Sequence, residues 1–381
     1  MGYVAVKGGT LAIEESIKLL KYERVKQGIV LKTNKIEAGM RGLIDQVMSE
    51  SSLYCPKLAA VAIKQAEGNP EEAVFLMRAY RSTLPRKHYS SITDPVEMRI
   101  ERRISASFKD IPGGQVLGAS TDYTHRLLDF NLVSETDEDA RKWLDAYQIE
   151  SRHLKENDPS GHFPKVLDYL RKEGLMAMCE DNDTEPDDVT KKSLEFPSSR
   201  SQRLQILTRG QTGAETSLAY AVIRGYGALH PTVGELRIGR LPVCIHNPVD
   251  ELKEEEDSYY IGEILVTEAE MLIPVTVEKG HGKEEIEFEI GYGICYGQNE
   301  TKAIAMGILD NSLENGNAEY PSQNEEFVLY HIDSVESTGF ISHLKMPHYV
   351  TFQSKLDSVR KTKKGEEMTN KKGEGIHAEK I

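Results

Sequence analysis

The sequence predicts an α+β protein with a mostly helical N-terminal half, a mixed sheet-and-helix C-terminal half and a disordered C-terminal tail. Three observations carry that reading. Capped segments with apolar residues at helical spacing crowd the first 150 residues. From about residue 200 the pattern turns to alternating, β-branched runs. Beyond Val359 the chain is Lys, Glu and Gly with few apolar residues, too little to offset the entropy of ordering.

In chain order, Thr10 opens a helix to about Gln27, with Leu11, Ala12, Ile13, Ile17, Leu19 and Leu20 on its apolar side. NPEEAVFLMRAYRS places Asn69 as N-cap, Pro70 at the first helical position and Glu72 at the capping-box position. DPVEMRIERRISASF carries the same chemistry in Asp94, Pro95 and Glu97, and predicts another helix. TDEDARKWLDAYQIE begins at Thr136 with acids suited to the helix macrodipole. These compose a helical domain over residues 1–150, with an irregular stretch between Phe108 and Leu132. Residues 151–199 form a polar linker with a helix and an acidic loop, CEDNDTEPDDVTKKS, which lacks the spacing of a calcium loop. An α+β domain follows over 200–354. It has a helix through TSLAYAVIRGYGAL, strands in GELRIGRLPVCI, IGEILVTEAEMLIPVTVE and EIEFEIGYGICYG, and a helix from Asn299. EFVLYHIDSVES reads as one more strand, and 355–381 as the tail.

Bulk properties narrow the function. With 381 residues, 39% of them apolar, the chain can bury real cores. The net charge of −14 excludes general adhesion to nucleic acid or anionic lipid, so a phosphate or phosphonate ligand needs a local basic patch. No apolar run of about 18 residues is present, and MGYVAVKGG lacks a signal-peptide pattern. Four dispersed cysteines without C-x-x-C fit a reducing compartment, so the expected location is the cytoplasm.

In GFISHLKMPHYVTFQ (339–353), His343 and His348 lie five apart with Pro347 before the second. Proline excludes the i, i+4 zinc helix. Two neutral imidazoles on a short loop suit zinc or iron but do not complete a tetrahedral site. The other reading has His343 capping a turn and His348 packing at a strand start, and spacing leaves both open.

Arginine is the second candidate class, because its planar fork matches phosphate. Arg99, Arg102 and Arg103 share one segment, Lys109 and Arg126 follow, and Arg200, Arg203, Arg209, Arg224, Arg237 and Arg240 populate the other half. On a helix, Glu97 with Glu101 and Arg99 with Arg103 are like-charged pairs four apart. Those arginines therefore need partners from elsewhere, carboxylates of another segment or a ligand. IPGGQVLG, RGQTGAET and GYGICYGQNETKA are glycine turns of the kind that hold anions, yet none is a Walker or dinucleotide motif. No Ser–His–Asp or Cys–His set stands out, and His125 and His246 read as structural.

AVKGG (5–9), YCPKLAAVAIKQAEG (54–68), FLMRAYRSTLPR (75–86), ERRISASFKDIPGGQVLG (101–118), DYTHRLLDF (122–130), RGYGALHPTVGELRIG (224–239) and HLKMPHYVTFQ (343–353) occur in order. Together they resemble the I-subunit family (PhnI) of the bacterial carbon–phosphorus lyase core complex, over roughly residues 3–356. The resemblance implies displacement of adenine from ATP, the substrate, by an alkylphosphonate, giving ribose 1-phosphonate 5-triphosphate, with purine nucleosidase activity alone. It implies partners in the G, H and J core subunits and the ATP-binding K and L subunits, and neither nucleic acid nor membrane. It implies Zn2+ on His343 and His348, completed by water, substrate or a neighbouring chain. Arg102, Arg103, Arg126 and Arg209 are the candidate substrate-binding residues, and no catalytic base transfers by motif. A rival reading is a structural platform that lends metal ligands to a neighbouring catalytic subunit; a third is a stand-alone zinc hydrolase.

Overall fold

A computed structural model describes residues 9–151, 163–176, 184–226, 230–247, 258–279, 283–315 and 319–377. The chain forms two compact units, one of Met1–Val30 with Val335–Ile381 and one of Leu31–Ser334. The first unit contains α1 (Gly9–Val25), where a helix is expected from Thr10, and no described side chain of α1 is buried.

The larger unit begins with four helices: α2 (Thr33–Gly39), α3 (Arg41–Ser51), α4 (Pro56–Gln65) and α5 (Pro70–Ser82). They pack through Ile36, Val47, Met48, Ala59, Ala60, Ile63, Val74 and Met77, all nearly inaccessible. The start of α5 follows its sequence signal: the Asn69 side chain accepts from the Glu72 amide at 2.8 Å, with Pro70 in the first turn. α6 (Asp137–Ser151) likewise begins where Thr136 and Asp139 cap reciprocally.

The first correction concerns DPVEMRIERRISASF, which is not a helix. Asp94 caps a single 3₁₀ turn, Pro95–Glu97, and the chain then enters strand β1 (Arg99–Ile104). The start signal is used, but one turn satisfies it, and pairing with a neighbouring strand outweighs the local helix preference. β1 is an edge of an antiparallel sheet ordered β1-β2-β3-β4, with β2 (Thr232–His246), β3 (Ser258–Lys279) and β4 (Lys283–Tyr296). The three long strands match their sequence expectations.

The sheet has two unlike faces because side chains alternate. On one face, Ala269, Met271 and Cys295 meet α8 (Arg200–Arg209), α9 (Thr212–Ala221) and α10 (Glu300–Asn315) in the main apolar core. α10 lies close against β4 because Gly291 and Gly293 present no side chain. A Cβ there would overlap the Gly307 or Ala303 carbonyl oxygen. The opposite face carries the polar residues described below, beneath α7 (Val166–Lys172), beside a small cluster of Leu167, Leu170, Met176 and Leu272.

The second correction concerns EFVLYHIDSVES, which forms no strand. Asn324 accepts from the Phe327 amide at 2.8 Å and caps α11 (Glu325–His331), and α12 (Ser334–His343) follows. The apolar run is too short for its period to be decisive, and the cap decides it. The third difference is the tail. α13 (Tyr349–His377) extends through the segment read as disordered, while its described side chains make no core and only Leu356 is half-buried. Composition correctly denied this segment a core, but Lys and Glu still favour helical backbone.

Candidate functional site

Pro347 sits two residues before α13, and only residues 344–348 separate the two helices. His343 therefore ends α12, and His348 directly precedes α13, its carbonyl accepting from the Phe352 amide at 2.9 Å. The imidazole centroids are 5.5 Å apart with the rings tilted 57°. His343 Nδ1 meets the Phe340 carbonyl, and His348 Nδ1 meets the Met346 carbonyl at 2.6 Å. A carbonyl oxygen only accepts, so both Nδ1 atoms carry hydrogen in the neutral rings. Each Nε2 then holds a lone pair. A backbone carbonyl fixing the tautomer in this way is the usual support of a metal-ligating histidine. The pair fits two zinc ligands, and among the described residues no group of three or more His, Cys, Asp and Glu is arranged to hold an ion.

The arginines expected to bind substrate are placed very differently from one another. Arg102 and Arg103, adjacent on β1, are both almost wholly buried. Arg102 reaches Glu300 at 3.1 Å, Asp122 at 3.1 Å and the Leu117 carbonyl. Arg103 pairs with Glu235 and donates to the carbonyls of Pro112, Gly114 and Pro164, the last at 2.8 Å. Their partners are thus carboxylates and carbonyls of other segments, the first of the two options that charge spacing leaves open. Arg126 is exposed and pairs with Asp122 at 3.1 Å. Arg209, at the end of α8, lies 3.8 Å from Asp333. The structure brings Arg102 and Arg126 together through Asp122 and sets Arg209 in a different cluster.

The glycine turns hold anions that belong to the chain itself. The α9 amide of Thr212 donates to Glu50 at 3.0 Å, and the Gln298 amide after Gly297 donates to Asp45 at 3.0 Å. Gly113 and Gly114 lie in the loop whose carbonyls receive Arg103.

Across the α7 face of the sheet runs a buried ionic layer that the sequence reading did not single out. Glu235 and Arg237 on β2 pair in register with Glu270 and Glu268 on β3. Arg237 donates to Glu268 through Nε at 2.8 Å, and Tyr292 on β4 donates to the same carboxylate at 2.9 Å. Lys165 bridges Glu268 at 3.0 Å and Glu270 at 2.7 Å. Burial alone would raise both carboxyls. Arg237 and Lys165 outweigh it at Glu268, which is lowered, whereas Glu270 is pushed up to about 7. The sequence signal was available: acids at alternate positions of TEAEM place two carboxylates on one face of an apolar strand.

A sequence model described as "Bacterial phosphonate metabolism protein (PhnI)" matches residues 2–366. The chain belongs to the PhnI family. The "Putative C-P lyase subunit protein HtxH" of Stutzerimonas stutzeri is 44% identical, covering 95% of this chain and 96% of that protein. Two relatives are named "Alpha-D-ribose 1-methylphosphonate 5-triphosphate synthase subunit PhnI". That of Rhizobium meliloti (strain 1021) is 41% identical over 95% of both chains. That of Escherichia coli (strain K12) is 42% identical over 94% of this chain and 98% of its own. Among the described residues of this PhnI-family chain, no helix is long and apolar enough to cross a membrane.

Proposed function

We propose that this chain is the I subunit of a carbon–phosphorus lyase system. With companion subunits it replaces the adenine of ATP by an alkylphosphonate, giving ribose 1-phosphonate 5-triphosphate, and alone it acts as a purine nucleosidase. The observation that carries this reading is near end-to-end similarity, at 41–42% identity, to two proteins named as subunits of that synthase. Assembly with companions is supported by the segment from Leu117 to Ile149. There Leu127, Leu128, Phe130, Val133 and Trp143 are more than 60% exposed, an unusual density of uncovered apolar side chains.

The chemistry asks for three things. The anomeric carbon must be reached as the glycosidic bond weakens and positive charge develops on the ribose. The departing purine must be protonated or hydrogen-bonded, and the triphosphate must be held. His343 and His348 would hold zinc through Nε2, with their Nδ1 atoms anchored on carbonyls of their own segment. Zinc in such a site supplies a Lewis-acidic centre and lowers the pKa of bound water. The two histidines leave coordination positions for water, substrate or a companion chain.

The test is co-expression with the companion subunits, then metal analysis and product assay of the wild type and the His343→Ala/His348→Ala double variant. The wild-type complex should release free adenine from ATP when phosphonate is supplied. The double variant should assemble, lose at least half of its zinc and process phosphonate poorly. Full zinc content in the double variant would remove the histidines from the metal site. Absence of adenine release from the wild type, alone or with companions, would leave only the platform role.

A further inference from the structure

We propose that the cleft along α11, lined by Glu319, Pro321, Glu326, Phe327, Tyr330 and His331, binds the purine base of the nucleotide substrate. The identity of that ligand rests on the function proposed above; the cleft and its hydrogen-bonding groups rest on the side chains.

The cleft has a volume of about 390 Å³, within the ~300–1,000 Å³ of ordinary small-molecule sites. It lies wholly within the larger unit. α11 divides its residues between two sides. Val328 and Leu329 enter the main apolar core, together with Ile332 just past the helix. Phe327 and Tyr330 turn outward, 38% and 50% exposed, with Glu326 and His331 beside them.

The aromatic part is held in place by its neighbours. Phe327 and His331, four apart and so adjacent on the helix, stack with ring centroids 4.3 Å apart and planes within 26°. Tyr330 meets Phe196 edge to face, with centroids 5.4 Å apart. A base that stacks on rings already ordered costs little side-chain freedom.

The polar part has open valences. His331 Nδ1 meets the Phe327 carbonyl at 2.6 Å, so in the neutral ring Nδ1 carries the hydrogen and Nε2 keeps a lone pair. Among the described residues neither the Glu326 carboxylate nor the Tyr330 hydroxyl has a hydrogen-bond or ionic partner. The cleft thus offers a phenol that donates and two groups that accept. Adenine carries the complement on one edge, an amino group that donates beside a ring nitrogen that accepts. A Phe–His stack four apart stabilises a helix by itself, but it gives no reason for a carboxylate and a phenol left open beside a cleft.

The sign of the cleft selects the base end of the nucleotide. Two glutamates line it, and among the described residues no lysine or arginine does. Such a surface repels phosphate and accepts a neutral base. Donation from Tyr330 to a ring nitrogen would also draw charge from the purine as the glycosidic bond breaks, which assists its departure.

The probes are adenine and hypoxanthine, whose 6-oxo group accepts where the adenine amino group donates. Each is measured by equilibrium dialysis against the full chain, alone and in complex with its companions. Wild-type protein should prefer adenine. Phe327→Leu, which stays apolar but loses the ring, should weaken adenine binding about tenfold. Glu326→Gln should weaken adenine about fivefold and leave hypoxanthine unchanged, a specificity shift that mere loss of structure would not produce. Tyr330→Phe should weaken both bases. Glu285→Gln, which removes an equal charge from an exposed part of β4, should bind within twofold of wild type. No adenine binding to wild type, or wild-type affinity in Phe327→Leu and Glu326→Gln, overturns the site. Adenine binding to the chain alone that vanishes in the complex also overturns it, because a companion then covers the cleft. Methylguanidinium binding as tightly as adenine would assign the cleft to an arginine side chain instead. Adenine release from ATP is scored separately. If adenine binding depends on Phe327 and Glu326 while none is ever released, the base site stands and the proposed reaction falls. If adenine is released and both variants bind it normally, the reverse holds.

Discussion

Glu215 gives the sharpest quantitative test of the packing described above. It lies on α9, fully buried, with neither carboxylate oxygen hydrogen-bonded. Its carboxyl group lies against Gly210, and Lys302 and Glu50 act on it electrostatically with opposite sign. Burial pushes its carboxyl up to about 8 from an ordinary 4.5, against the pull of Lys302. Below the ordinary value the side chain is protonated both folded and unfolded, and it adds no pH dependence. As pH rises from there, the unfolded chain ionises while the folded chain does not, so stability falls until the folded pKa is reached. Each pH unit in that window costs about 1.4 kcal/mol, so by pH 7 the accumulated loss is about 3 kcal/mol. Glu215→Gln removes the titration and keeps the shape. Any fixed cost of burying the amide is the same at every pH. The variant should therefore gain about 2–3 kcal/mol on the wild type between pH 5 and pH 7. Urea unfolding followed by circular dichroism at pH 5, 6, 7 and 8 reads this difference directly. A stability gap that stays constant across that range would refute a neutral buried Glu215.

Two further outcomes follow from the fold. Arg103→Met should destabilise the sheet by about 3–5 kcal/mol, because it leaves the Glu235 carboxylate buried without its cation. Adding Glu235→Met should restore much of that loss, and urea midpoints of the two single variants and the double variant measure the coupling. Asn69→Ala should cost about 1 kcal/mol by removing the side-chain cap of α5, read as a lowered Tm with an unchanged circular dichroism spectrum.

Much of the fold was legible where a local rule had no tertiary competitor. Asn69 and Thr136 cap the helices they announce, and the three long strands follow their alternating patterns. Reading failed where a local signal was real but short. Asp94-Pro95 starts a helix that lasts one turn, because the next six residues gain more by pairing with β2. The run before Ile332 has the short apolar pattern of a strand, yet the Asn324 cap makes it a helix. At the histidines, Pro347 showed that one continuous helix could not join them. Their tautomers depend on carbonyls two and three residues away, which spacing cannot orient.

What the sequence by itself determined is the class of the chain, its helix starts, its alternating strands and its membership in the PhnI family. Each of these depends on residue type at short range or on long similarity in order. Only the tertiary structure decided what the charges do. It turned Arg102 and Arg103 into buried partners of Glu300 and Glu235, and filled two glycine turns with Glu50 and Asp45. A charge acquires its role from the groups that replace its water. Those groups lie scores of residues away in sequence.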